Sequence, residues 1–128
     1  MNSVTSAASP DVPGPEHEGL REVENAFKSR LMETIRASVR ECRYTPHAFM
    51  DMIAKHGAIE AARMLMHTRA ISDGFVRLWE KGRLDLTVER IIVHEREWAV
   101  LFTAQERRIA EQRLNEWEKN PSPWIASG

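Results

Sequence analysis

Between residues 17 and 43 the large apolar side chains Leu20, Val23, Phe27, Leu31, Ile35 and Val39 return every three or four positions. That is the period of an amphipathic α-helix, so one long helix is predicted here. At a rise of about 1.5 Å per residue the stripe extends for about 30 Å, as long as a small domain is wide. The apolar runs that follow are shorter, and part of the stripe is expected to lie uncovered. An uncovered apolar stripe meets a second surface, so Leu20, Val23, Phe27, Leu31, Ile35 and Val39 are read as an interaction stripe for a homodimer or a protein partner.

The next pattern opens at Thr45-Pro46, a helix start with threonine as N-cap and proline at the first helical position. The helix runs to His56, with Phe49, Met52 and Ile53 as its buried side. Gly57 separates it from a helix over Ala58–Thr68 whose face of Ala58, Ala61, Ala62 and Leu65 allows close approach. Helix, glycine turn, alanine-rich helix is the order of a DNA-reading helix-turn-helix and equally of any short helical hairpin. From Gly74 to Phe102 the large apolar side chains are densest. Phe75, Leu78 and Trp79 share a face after a cap at Ser72 or Asp73, and Trp79 is read as core. Gly82 ends that helix in the left-handed conformation. Thr87 caps Val88–Val93 with Ile91 and Ile92 facing in; the β-branched run would suit a strand, and helix is the reading adopted. Trp98, Leu101 and Phe102 repeat the spacing. Thr103 and Glu106 form a capping box for a last helix over Ala104–Lys119, with Ala110, Leu114 and Trp117 on one stripe and Ile109 beside it. Pro121 and Pro123 stop it.

These elements make an all-α fold, a small orthogonal helical bundle of about six helices with a long N-terminal helix. Residues 1–15, rich in Ser, Ala, Pro and Gly, are read as a disordered leader, 16–119 as one helical domain, and 120–128 as a proline-containing tail whose Trp124 docks on the body or is exposed. A chain of 128 residues falls in the single-domain range.

Charge narrows the function classes. The net charge is −1, from 18 Lys and Arg against 19 Asp and Glu, so no global basic field points to nucleic acid. The long helix has balanced charges, which favours a solvated face or a helical partner over a membrane surface. A local excess does occur: Arg63, Arg69, Arg77, Lys81 and Arg83 face only Asp73 and Glu80 between residues 63 and 83. These five are the candidate nucleic-acid contacts, set against a solvated face with local ion pairs. A single cysteine, Cys42, excludes an intramolecular disulfide and fits a reducing compartment. No secretory h-region and no membrane-length apolar run is found, and a cytoplasmic location is expected.

Catalytic and metal chemistry have little to build on. The histidines His17, His47, His56, His67 and His94 have no ligand spacing, and HEREW at His94–Trp98 lacks the second histidine of a zinc helix. No nucleophile elbow or phosphate loop occurs. The carboxylate pairs Glu95 with Glu97 and Asp85 with Glu89 read as solvated. Met50, Met52, Met64 and Met66 read as core filling rather than an adaptable groove. Neither a cofactor nor a metal is expected.

The stretches TPHAFMDMI, GAIEAARML, GFVRLWEKGRLDLTVE and EWAVLF, within Tyr44–Leu114, together resemble a small helical accessory domain found in many uncharacterised bacterial proteins, alone or attached to larger ones. The resemblance implies a shared fold, names no catalytic residue and favours binding over catalysis. The function expected is a non-enzymatic protein-interaction or adaptor module, with a DNA-binding protein or an accessory factor of a DNA-processing or defence complex as the alternative.

Overall fold

The computed structural model describes residues 15–120, with side chains described from residue 19. The expected leader and the expected tail with Trp124 lie outside the described residues. The chain folds into α1 (Pro15–Cys42), α2 (His47–His56), α3 (Ala58–His67), α4 (Asp73–Glu80), α5 (Val88–His94) and α6 (Ala104–Glu118). Short 3₁₀ helices at Leu84–Leu86 and Arg96–Leu101 flank α5. Among the described residues there is no strand, and the all-α helical bundle with a long N-terminal helix is what the sequence pattern called for.

Local signals set most of the boundaries. Ser72 accepts the Phe75 N–H (3.2 Å) and Thr87 the Arg90 N–H (3.2 Å), each supplying an acceptor to an orphan donor of the first turn. At α6 the capping box is complete: Glu106 N–H donates to Thr103 Oγ1 (3.0 Å) and Thr103 N–H to Glu106 Oε1 (2.9 Å). Gly82 (φ 72°) closes α4 in a Schellman turn, with Arg83 N–H on Leu78 O (2.7 Å) and Gly82 N–H on Trp79 O (2.9 Å). The start of α2 differs from expectation. Pro46, not Thr45, stands at the N-cap with ψ 74° and no side-chain cap, because the His47 N–H turns back to Thr45 O (2.9 Å) and leaves the buried proline ring outside the helix.

The core is centred on Phe27. Its ring meets Trp98 (5.5 Å, 73°) and Phe102 (5.4 Å, 66°) edge to face, a geometry that adds to plain burial. Trp98 and Leu101 can both reach inward because residues three apart eclipse one another in a 3₁₀ turn. Ala58, Ala61 and Ala62 of α3 are buried, and their small side chains bring α1 and α6 close to that helix. Leu31, Met66, Ile91, Ile92 and Ala110 complete the cluster. A smaller one joins Ala37, Cys42, Leu78 and Leu86 under Tyr44.

Three expectations about burial are corrected. Trp79 is half-buried: α4 turns it onto the end of α6, where it packs against Trp117 (4.9 Å, 82°) and its indole N–H donates to Asn120 O (2.7 Å). Phe49, Met52 and Ile53 are also half-buried, since α2 packs chiefly on α3 and buries no residue completely. On α3 it is Met66 rather than Leu65 that is fully enclosed; of the other methionines, Met52 and Met64 are half-buried and Met50 is exposed.

These packing differences give ordered stabilities. Phe27→Ala is expected to cost about 3–5 kcal/mol in urea unfolding, as buried aromatic truncations do, and Trp79→Ala clearly less. Equal losses at the two positions would show that the aromatic core is not centred on Phe27.

Candidate binding cleft

The last turns of α1, the Tyr44–Pro46 connection, α2, the start of α4 and the Leu86–Glu89 segment surround a cleft of about 290 Å³. Ile35, Phe49, Met52, Leu78 and Leu86 make its walls largely apolar. Protein interiors are close-packed, and an apolar cavity of about 150 Å³ already accommodates benzene, so this space suits one aromatic or branched aliphatic group.

Two hydroxyls and a carboxylate that line it are engaged within the chain. Ser38 Oγ donates to Thr34 O (3.1 Å), and Thr87 Oγ1 donates to Leu84 O (2.7 Å) while capping α5. Tyr44 lies against Gly74, where an added Cβ would stand 3.3 Å from the phenol oxygen; burial pushes the Tyr44 phenol up. At the floor Glu89 is buried with Arg113 of α6, whose Nη1 donates to Glu89 Oε2 (3.1 Å). The same guanidinium donates to Leu65 O (2.9 Å) and Thr68 O (2.6 Å) at the end of α3, where a cation complements the helix dipole. Burial pushes the Glu89 carboxyl up, opposed by its backbone hydrogen bond and by Arg113.

The residues singled out from sequence are dispersed. Within the stripe, Phe27, Leu31 and Ile35 are buried and Val23 half-buried, whereas Leu20 and Val39 at the two ends are 39% and 43% exposed. The six residues are therefore not one open surface, because α3 and the 3₁₀ segments cover the middle of α1. Of the five basic residues, Arg63 Nε donates to Glu106 Oε2 (3.1 Å), and Arg83 binds Asp85 (3.0 Å) and Glu41 (2.8 Å). Lys81 lies with Arg83 beside the end of α1, and Arg69 lies in a groove with His67 and Trp117, so two separate places share them; Arg77 is exposed on α4. The turn between α2 and α3 is Gly57 alone (φ 88°), shorter than the three or four residues usual in a helix-turn-helix. Among the described residues no three His, Cys, Asp or Glu side chains are grouped to hold a metal ion.

Glu89 was missed by sequence reading as a buried group, and so was its partner. It sits inside the apolar run Val88–Ile92, a weak sign of burial, but nothing local points to Arg113. Glu95 was also read as solvated; it instead grips Arg30, Nε at 3.0 Å and Nη2 at 2.7 Å, and accepts the Trp98 indole N–H (2.8 Å). Comparison of the chain with protein families, with curated proteins and with solved structures finds no match.

Two stability predictions follow from the buried charges. Arg113→Ala strands the Glu89 carboxylate and is expected to cost about 3–5 kcal/mol at neutral pH. Because the Glu89 carboxyl is raised, its neutral form suits the fold, and the penalty should shrink as pH falls through that raised value; a pH-independent penalty would assign the loss to the carbonyls of α3 instead. Glu106 behaves oppositely. Burial disfavours its charge, but the Thr103 N–H, His67 and Arg63 outweigh burial and hold its carboxyl below the ordinary range. Its contribution is then full above the ordinary carboxylate value and lost as pH falls through the depressed one, so unfolding curves should weaken below about pH 4. Glu106→Gln is expected to flatten that acid limb; an unchanged limb removes Glu106 as its source.

Proposed function

We propose that this chain is a non-enzymatic protein-interaction module that receives an apolar side chain of a partner in the cleft between α1, α2 and the Leu86–Glu89 segment. The observation that carries the reading is an apolar space of about 290 Å³ lined by the half-buried Phe49 and Met52 of a helix that buries nothing completely. A helix held by half of its surface is free to adjust around an anchor, and pockets with apolar walls and few polar groups are common binding sites. The hydroxyls of Ser38 and Thr87 are spent on backbone carbonyls and Glu89 faces Arg113, which favours binding over catalysis. Duplex DNA is the weaker reading, because Arg63 and Arg83 already satisfy carboxylates.

A photo-crosslinking amino acid at Met52, introduced into the full chain in its native host, tests the reading. Ala48 is exposed at the edge of the cleft, so Ala48→Trp fills the mouth from outside. The expected outcome is a discrete protein adduct from position 52 that Ala48→Trp reduces at least about tenfold, the equivalent of losing one well-buried anchor. Adducts that Ala48→Trp leaves unchanged would place the partner elsewhere and overturn the proposal.

A further inference from the structure

A second surface lies at the other end of α5. Ile92, Val93, Ala99 and Ala104 form the floor of a groove of about 340 Å³, and Arg96, Arg107 and Arg108 stand at its rim with a single carboxylate, Glu111. Elsewhere the arginines that reach other elements hold carboxylates: Arg30 with Glu95, Arg63 with Glu106, Arg90 with Glu118 and Arg113 with Glu89. Among the described residues, the three rim guanidiniums form no hydrogen bond or ion pair. Arg107 and Arg108 moreover stand just inside the N-terminus of α6, the end whose partial positive charge favours carboxylates over cations. Among the described residues, therefore, no carboxylate answers these three charges.

What such a rim attracts is negative charge, and a guanidinium binds a carboxylate through two parallel hydrogen bonds. The floor adds a second requirement. Val93 and Ala99 present aliphatic surface, and the next residue, Val100, which does not line the groove, is 67% exposed, the most open large apolar side chain among the described residues. A sugar-phosphate backbone has little use for that surface, whereas an acidic peptide bearing an apolar side chain satisfies both floor and rim. We propose that this groove docks an acidic segment of a protein partner, its carboxylates on Arg96, Arg107 and Arg108 and an apolar side chain against Val93 and Ala99. The groove shares no lining residue with the cleft, so the inference stands apart from the function proposed above.

Selection from a random linear peptide library displayed on phage, against the full chain, tests this directly. The comparison is the double variant Arg107→Glu with Arg108→Glu, which removes no side-chain hydrogen bond or ion pair among the described residues and whose cooperative thermal unfolding should show that it folds. The expected result is enrichment of peptides carrying several Asp or Glu beside a Leu, Ile, Phe or Trp. Their affinity should fall at least about tenfold in the double variant and weaken with added salt, while Ala48→Trp leaves it unchanged. No enrichment, enrichment without acidic residues, loss of binding in Ala48→Trp, or a duplex DNA probe bound more tightly than the peptides and released by the same double variant would each overturn the proposal.

Discussion

The buried guanidinium of Arg113 is the constraint on which the arrangement of the second half of the molecule rests. It binds the Glu89 carboxylate from α5 and backbone carbonyls at the end of α3 while belonging to α6, so three helices meet at one cation. A charge in such a place is stable only where oxygens replace its water, and Nη1 and Nη2 of Arg113 reach four of them. The planar fork of arginine allows this where a lysine ammonium would not. Fixing Glu89 also fixes the floor of the cleft, which links the stability of the bundle to the shape of this apolar opening.

Around that point the core is assembled from unequal helices. Alanines on α3 let α1 and α6 approach, and Phe27 fills the remaining space with Trp98 and Phe102. The consequence for α1 is a division of labour along its 28 residues: the middle is interior, and Leu20 and Val39 face outward. An apolar stripe of regular period can thus be mostly core even when no single later helix is long enough to cover it, because several short elements share the work.

The two openings differ in chemistry in a way that follows from their neighbours. At the start of α5 the cleft is bounded by Ser38, Thr87 and Glu89, which have internal partners, and by a largely apolar wall. At the other end of α5 no carboxylate among the described residues answers the groove's guanidiniums, which stand over an aliphatic floor. One surface therefore suits an apolar anchor and the other an acidic segment, and a single protein partner reaching along α5 would meet both.

Helix existence and most helix ends were legible in the sequence because they depend on neighbours a few residues away. Ser72, Thr87, the Thr103–Glu106 box and the left-handed Gly57 and Gly82 act through hydrogen bonds and dihedral angles of their own turn. Ile91 and Ile92 of α5 and Ala110 and Leu114 of α6 followed from periodicity for the same reason, whereas Glu89 and Arg113 on the same inward faces did not. Pro46 departed from its expected place because a backbone turn with Thr45 competed with the cap, a balance too fine for residue type alone. What only the tertiary structure decided was pairing at a distance. Glu106 was visible as a cap, but not that Arg63 and His67, some 40 residues earlier, would close on its second oxygen and remove Arg63 from the basic excess. Arg83 was likewise drawn to Glu41 of α1, and Arg96, Arg107 and Arg108, unremarkable in the chain, were left together without partners among the described residues. A charge carries no mark of which opposite charge the packing of helices will bring to it, so periodicity determined the bundle and the crossing of its helices decided the sites.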